Sequence, residues 1–150
     1  MRNLRLGLVI GLLGVLAVAP VASAAAAPTT TIRIDIVFGP GGSEEFITTG
    51  GVLCPSGTAV TDPVFAAGFG RMGRGAASFH LIKTLTCADD SGTFQIKVNA
   101  GPSPTGTVGG FAVVGGTGDY ANLRGGGSLV GIATDVGIID FYTGSLTNGG

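Results

Sequence analysis

One histidine, two cysteines and few charged residues leave this chain short of most side chains that carry enzyme chemistry. Asp, Glu, Lys and Arg make up 11% of its 150 residues, with a formal net charge of −1. That balance lacks the basic footprint that nucleic acid or an anionic membrane would require. His80 is the sole histidine, so no histidine cluster can hold a metal, and any Ser-His-Asp triad would have to run through it. Neither Cys54 nor Cys87 sits in a CxxC pair, which removes the common zinc and redox motifs. No metal and no cofactor is expected. Helical periodicity is missing over any useful length, and with it the helical bundle and the βαβ crossover.

At the N-terminus, Arg2 and Arg5 precede an apolar run from Leu6 to Ala19 and the small-residue site Ala22-Ser23-Ala24. This is the layout of a secretory signal peptide over residues 1–24. The run is shorter than the roughly 20 residues that span a bilayer, so no membrane association is expected after cleavage. Residues 25–150 then form a single exported domain with 6 basic and 9 acidic side chains. In an oxidising compartment Cys54 and Cys87 are most simply a disulfide. Closing that loop would stabilise the fold by about 3–4 kcal/mol on the chain-entropy model.

The 29 glycines lie among valines, isoleucines, threonines and phenylalanines, a pattern of short strands and tight turns rather than disorder. Period-two alternation recurs in TIRIDIVF, SFHLIKTLTC and GTFQIKVN. Further strands are expected at Glu45–Thr49, Gly51–Cys54, Gly110–Val114, Ser128–Thr134 and Gly137–Leu146. Phe65–Gly75 lacks alternation and reads as a mobile loop. Short connections between seven or eight strands require a mainly antiparallel sheet, closed into a barrel or folded into a two-sheet sandwich.

Gly116-Thr-Gly118-Asp-Tyr-Ala121 matches the dinucleotide fingerprint G-x-G-x-x-G/A. That turn works by bringing a long helix N-terminus to a pyrophosphate. Here Gly125-Gly-Gly127 stops any helix after six residues, and no βαβ unit surrounds it. The run reads instead as a strand entering a glycine corner and a single helical turn. Asp119 is expected to cap that turn, with Tyr120 and Leu123 tucked beneath it, before the chain re-enters the sheet at Ser128.

The corner, Gly115-Gly116-Thr117-Gly118-Asp119-Tyr120-Ala121-Asn122-Leu123-Arg124-Gly125, resembles the GGTG-x-[FY]-x-x-x-RG signature of dirigent proteins and the related allene-oxide-cyclase-like barrels. Ala121 and Leu123 depart from the usual dirigent residues. The order of a long strand, Asp90-Ser-Gly-Thr-Phe94, a strand, the corner and two closing strands agrees as well. The resemblance implies an eight-stranded antiparallel β-barrel, here an exported bacterial member, with a two-sheet sandwich as the alternative. It also implies a homotrimer. Arg124 matches the signature's Arg-Gly pair, and its expected role is structural, bonding carbonyls or an acid near the corner.

Lys83 falls in phase with Leu81 and Leu85, and Asp140 alternates with Ile138 and Tyr142. Facing inward, Lys83 and Asp140 would pair inside a lumen, since an unpaired buried charge is costly. The competing and favoured expectation is a β-bulge that turns Lys83 outward. His80, out of phase with its neighbours, reads as a strand-surface residue. Asp89-Asp90-Ser91-Gly92 reads as a hairpin turn rather than a calcium loop. Arg71 and Arg74 read as solvated loop cations, and Glu44-Glu45 as the start of a strand. The expected function is a barrel that binds a small apolar molecule, with ligand-lining candidates Lys83, Asp140 and Tyr142. The alternatives are a dirigent- or cyclase-like enzyme and a solid-cored structural protein.

Overall fold

Alternating apolar residues bury one face of each strand and leave the other to solvent, and in a closed sheet the buried face becomes a lumen. The computed structural model describes residues 28–37, 41–67 and 78–149. The expected signal peptide, Arg71, Arg74 and most of the expected loop Phe65–Gly75 lie outside the described residues.

Eight strands follow one another: β1 Thr29–Val37, β2 Glu44–Thr49, β3 Ser56–Ala67, β4 Ser78–Cys87, β5 Thr93–Ser103, β6 Gly106–Gly116, β7 Leu123–Ala133 and β8 Gly137–Asn148. Each pairs antiparallel with the next, and β8 returns to β1 to close the barrel. The architecture is therefore the eight-stranded barrel and not the sandwich. In β1, Ile32 and Ile34 are fully buried, whereas Arg33 and Asp35 on the outer face pair with each other at 2.9 Å. Leu85, Phe94, Ile96, Val98 and Tyr142 extend the same interior. Burial of each such side chain stabilises the fold by about 1.5–3 kcal/mol.

The expected strand at Gly51–Cys54 needs correction. Gly51–Cys54 is a bend and not a strand, though Val52 and Leu53 still pack against the core. The strand in that region is β3, which runs through Pro63 to Ala67. Its ladder with β4 shifts register between Pro63 and Phe65, as expected where proline cannot donate to the sheet.

One end of the barrel is shut. Cys54 and Cys87 form a buried disulfide, with Cα atoms 5.9 Å apart. Phe46, Phe94 and Tyr120 lie edge to face in sequence, with ring centroids 5.9 and 5.5 Å apart. Such pairs contribute about 0.5–1.5 kcal/mol beyond their area. Leu123 is fully buried beside them, so Tyr120 and Leu123 close the core as expected.

The corner carrying Gly115, Gly116, Thr117, Gly118 and Gly125 is the strand end plus one 3₁₀ turn, Gly118–Tyr120. No helix follows that could approach a dinucleotide. Gly118 has φ +58°, and a Cβ there would strike the carbonyl oxygen of Ser91. The corner thus packs backbone to backbone on the Asp89–Gly92 hairpin, which only glycine allows. The Tyr120 hydroxyl bonds Ser91 Oγ at 3.1 Å. Asp119 does not cap the turn: Thr117 holds the N-cap position, and no side chain bonds there. The chain re-enters the sheet at Leu123 rather than Ser128, because the glycines of β7 stay extended in their ladder with β8. Arg124 donates to the Leu123 carbonyl at 2.6 Å, a structural contact of the expected kind.

Candidate functional site

At the end opposite the disulfide, the inward residues leave space. A cavity of about 210 Å³ lies among Ile36, Glu44, Thr61, Phe79, Leu81, Lys83, Val98, Ala100, Thr107, Leu129, Ile138, Asp140 and Tyr142. All eight strands reach it: six with one or two side chains, and β4 and β8 with three each. Most of the wall is apolar, so its few polar groups stand out.

Lys83 is buried, with its side chain 3% exposed. The expected outward bulge is not found: β4 pairs with β5 without interruption from Phe79 to Thr86, which keeps Lys83 in phase with Leu81 and Leu85. The nearby irregularity lies in β3 instead. The partner of Lys83 is also not the one expected. Its Nζ donates to Glu44 Oε2 at 2.7 Å and to Thr61 Oγ1 at 2.6 Å. The Thr61 hydroxyl in turn donates to the Glu44 carboxylate. This three-residue network, from strands β2, β3 and β4, satisfies the ammonium that the apolar wall would otherwise strand.

Asp140 faces inward as expected, 6% exposed. It accepts a hydrogen bond of 2.9 Å from the hydroxyl of the fully buried Tyr142. Burial raises the Asp140 carboxyl above its ordinary 3.8, against the opposing pull of the Tyr142 bond and the Lys83 charge. Burial and the adjacent Asp140 push the Tyr142 hydroxyl up as well, so it remains a neutral donor. Gly131 lies opposite Asp140 on β7. A Cβ there would collide with Asp140 Oδ1 and Thr107 Oγ1, and its absence gives that carboxylate oxygen its room.

Asp140→Asn is expected to raise stability at neutral and alkaline pH, with a gap over wild type that widens as pH rises. A folded carboxyl with a raised pKa binds its proton more tightly than the unfolded chain does. Its stabilising contribution is full below the ordinary 3.8 and is lost as pH climbs through the folded value. Asparagine has no such dependence. Denaturant unfolding of both proteins at pH 3 and pH 8 checks this, and a gap that narrows with pH would contradict it.

The remaining sequence candidates lie elsewhere. His80 points outward and bonds Asn99 across the β4–β5 ladder. Asp89 accepts from Ser91 within its own turn, which lowers its carboxyl pKa. Cys54, Cys87 and Asp89 lie together, but both sulfurs are bound in the disulfide and offer no thiolate. Glu44 is the residue that spacing missed. It meets Lys83 because β3 pairs with both β2 and β4 and sets Thr61 between them. No family model, curated protein or solved structure matches the chain.

Proposed function

We propose that this protein is a binding module that takes a small, largely apolar molecule into the lumen at the end away from the disulfide. The observation that carries this reading is the cavity itself. A barrel of this size can fill its interior completely, yet here about 210 Å³ stays unfilled. A dry cavity of about 150 Å³ can hold benzene, and drug-sized ligands need about 300 Å³ or more. The space therefore suits a body of about one ring, held by apolar walls and oriented by the Asp140–Tyr142 and Glu44–Lys83 groups.

Thermal unfolding against a library of one-ring alcohols, phenols and small terpenes tests the reading. Some members are expected to raise the melting temperature, by an amount equivalent to about 2.7 kcal/mol at a hundredfold excess over Kd. Ala100→Phe, which fills the cavity from its wall, is expected to abolish the response. A flat response from the wild type overturns the reading and leaves a structural role.

A second reading is a dirigent- or cyclase-like enzyme that guides a reactive molecule, favoured by an inward carboxylate beside a phenol donor. It differs from the first in that the bound compound is released changed. The corner motif supports kinship with those barrels, and with it the proposal of a homotrimer. A charge-free outer wall of Val108, Val130 and Ile132, each nearly half exposed, is suited to such an assembly. Export to an oxidising compartment is also proposed, supported by the N-terminal sequence and the buried disulfide.

A further inference from the structure

We infer that the molecule held in the lumen is a small organic cation, a one-ring apolar body with a single ammonium group that Asp140 receives. The inference rests on the ligand-binding reading above and names the charge of the ligand.

Three charged side chains line the cavity among the described residues: Glu44, Lys83 and Asp140. Glu44 and Lys83 neutralise each other at 2.7 Å, and the Thr61 hydroxyl is bonded to both. That leaves one carboxylate without an opposite charge of its own. The groups facing Asp140 can be taken strand by strand. Its ladder partners are Ile34 on β1 and Gly131 on β7, neither of which carries charge. Thr107 on β6 and Tyr142 on β8 are neutral, and the latter is its hydrogen-bond donor. Lys83 and Glu44 act on it at longer range and with opposite sign.

A buried carboxylate held only by a neutral phenol gains most from a cation placed beside it. An anionic ligand would meet two carboxylates and would have to draw Lys83 away from Glu44. A neutral ligand would leave Asp140 as it stands. Oδ1, the oxygen not bonded to Tyr142, lies on the side where Gly131 leaves room, so the site offers an acceptor as well as a charge.

Isothermal calorimetry with benzylammonium, benzyl alcohol and benzoate as probes, at pH 8, tests the inference. Benzylammonium is expected to bind wild type more tightly than benzyl alcohol by on the order of tenfold or more, as for hydrogen bonds to a charged group, with no detectable binding of benzoate. In Asp140→Asn the preference is expected to fall below about twofold. Wild type itself provides a check free of any folding defect in the variant. Its preference for benzylammonium should shrink between pH 8 and pH 4 as Asp140 takes up a proton. Benzyl alcohol binding at least as tightly as benzylammonium would overturn the cation while leaving the cavity reading intact. So would a preference that survives in Asp140→Asn or does not change with pH. Failure of all three probes to bind would overturn both.

Discussion

Glu44→Gln is expected to destabilise the barrel by about 3–5 kcal/mol, the usual consequence of removing one partner from a buried ion pair. The size follows from which charge is left behind. Lys83 is 3% exposed and would keep only the Thr61 hydroxyl and a neutral amide. Lys83→Met should cost less, because the abandoned Glu44 is 19% exposed and can draw on water. Replacing both Glu44 and Lys83 by Met removes each charge and its desolvation together, and such replacements are often neutral or stabilising by about 1–4 kcal/mol. Denaturant unfolding of the four proteins reads the order: Glu44→Gln least stable, Lys83→Met intermediate, the double variant near wild type. A double variant as unstable as Glu44→Gln would mean that the network matters through its shape and not its charge.

The second large effect lies at the shut end. Replacing Cys54 and Cys87 together by Ser is expected to cost about 2–5 kcal/mol, the range for native disulfides in small exported domains. Position adds to the chain-entropy argument. The β2–β3 ladder is the shortest in the barrel, running only from Glu45–Thr58 to Ile47–Ser56. Cys54 lies just before β3, and Cys87 ends β4, so the bond anchors the short ladder to the longer one beside it. The Ala88 amide donates to the Ser56 carbonyl at the same place. Unfolding with and without reductant, beside the double Ser variant, measures the contribution. A loss under about 1 kcal/mol would mean that the Phe46, Phe94 and Tyr120 stack holds this end unaided.

The barrel was legible wherever a strand keeps strict alternation. Ile32 and Ile34, Phe94, Ile96 and Val98, and Asp140 and Tyr142 all face the interior that period two assigns them. Legibility failed at β3, where Asp62-Pro63 and the register shift after Pro63 break the phase that the reading depends on. It failed at Asp119, because a 3₁₀ turn of three residues has too little helix to need a capping carboxylate. At the site, Asp140 and Tyr142 could be placed from their own strand, but Lys83, expected to turn outward, could not, nor could its partner. Spacing along one strand says which face a side chain takes; it does not say what lies across a lumen. Glu44 and Lys83 are 39 positions apart in the chain, and only the pairing of β3 with both β2 and β4 relates them. The outward bulge expected for Lys83 shows the limit of arguing from cost alone. The cost of burying an ammonium is real, and here a partner from β2 meets it in place of a distorted backbone.

The order of strand pairing also has a kinetic meaning. Seven of the eight ladders join neighbours in the chain and can form as hairpins, which take roughly microseconds. The eighth sets Thr29 beside Ser145 and must close a loop of roughly the whole described chain, an entropic cost that grows slowly with length but brings no contacts until the ends meet. The cavity wall crosses that last seam, with Ile36 on one side and Ile138, Asp140 and Tyr142 on the other. Before β1 docks on β8 there is an open sheet with its carboxylate in water and no lumen. The rate at which a freshly diluted chain acquires the capacity to bind therefore times the final zippering of the barrel, separately from the earlier growth of its hairpins.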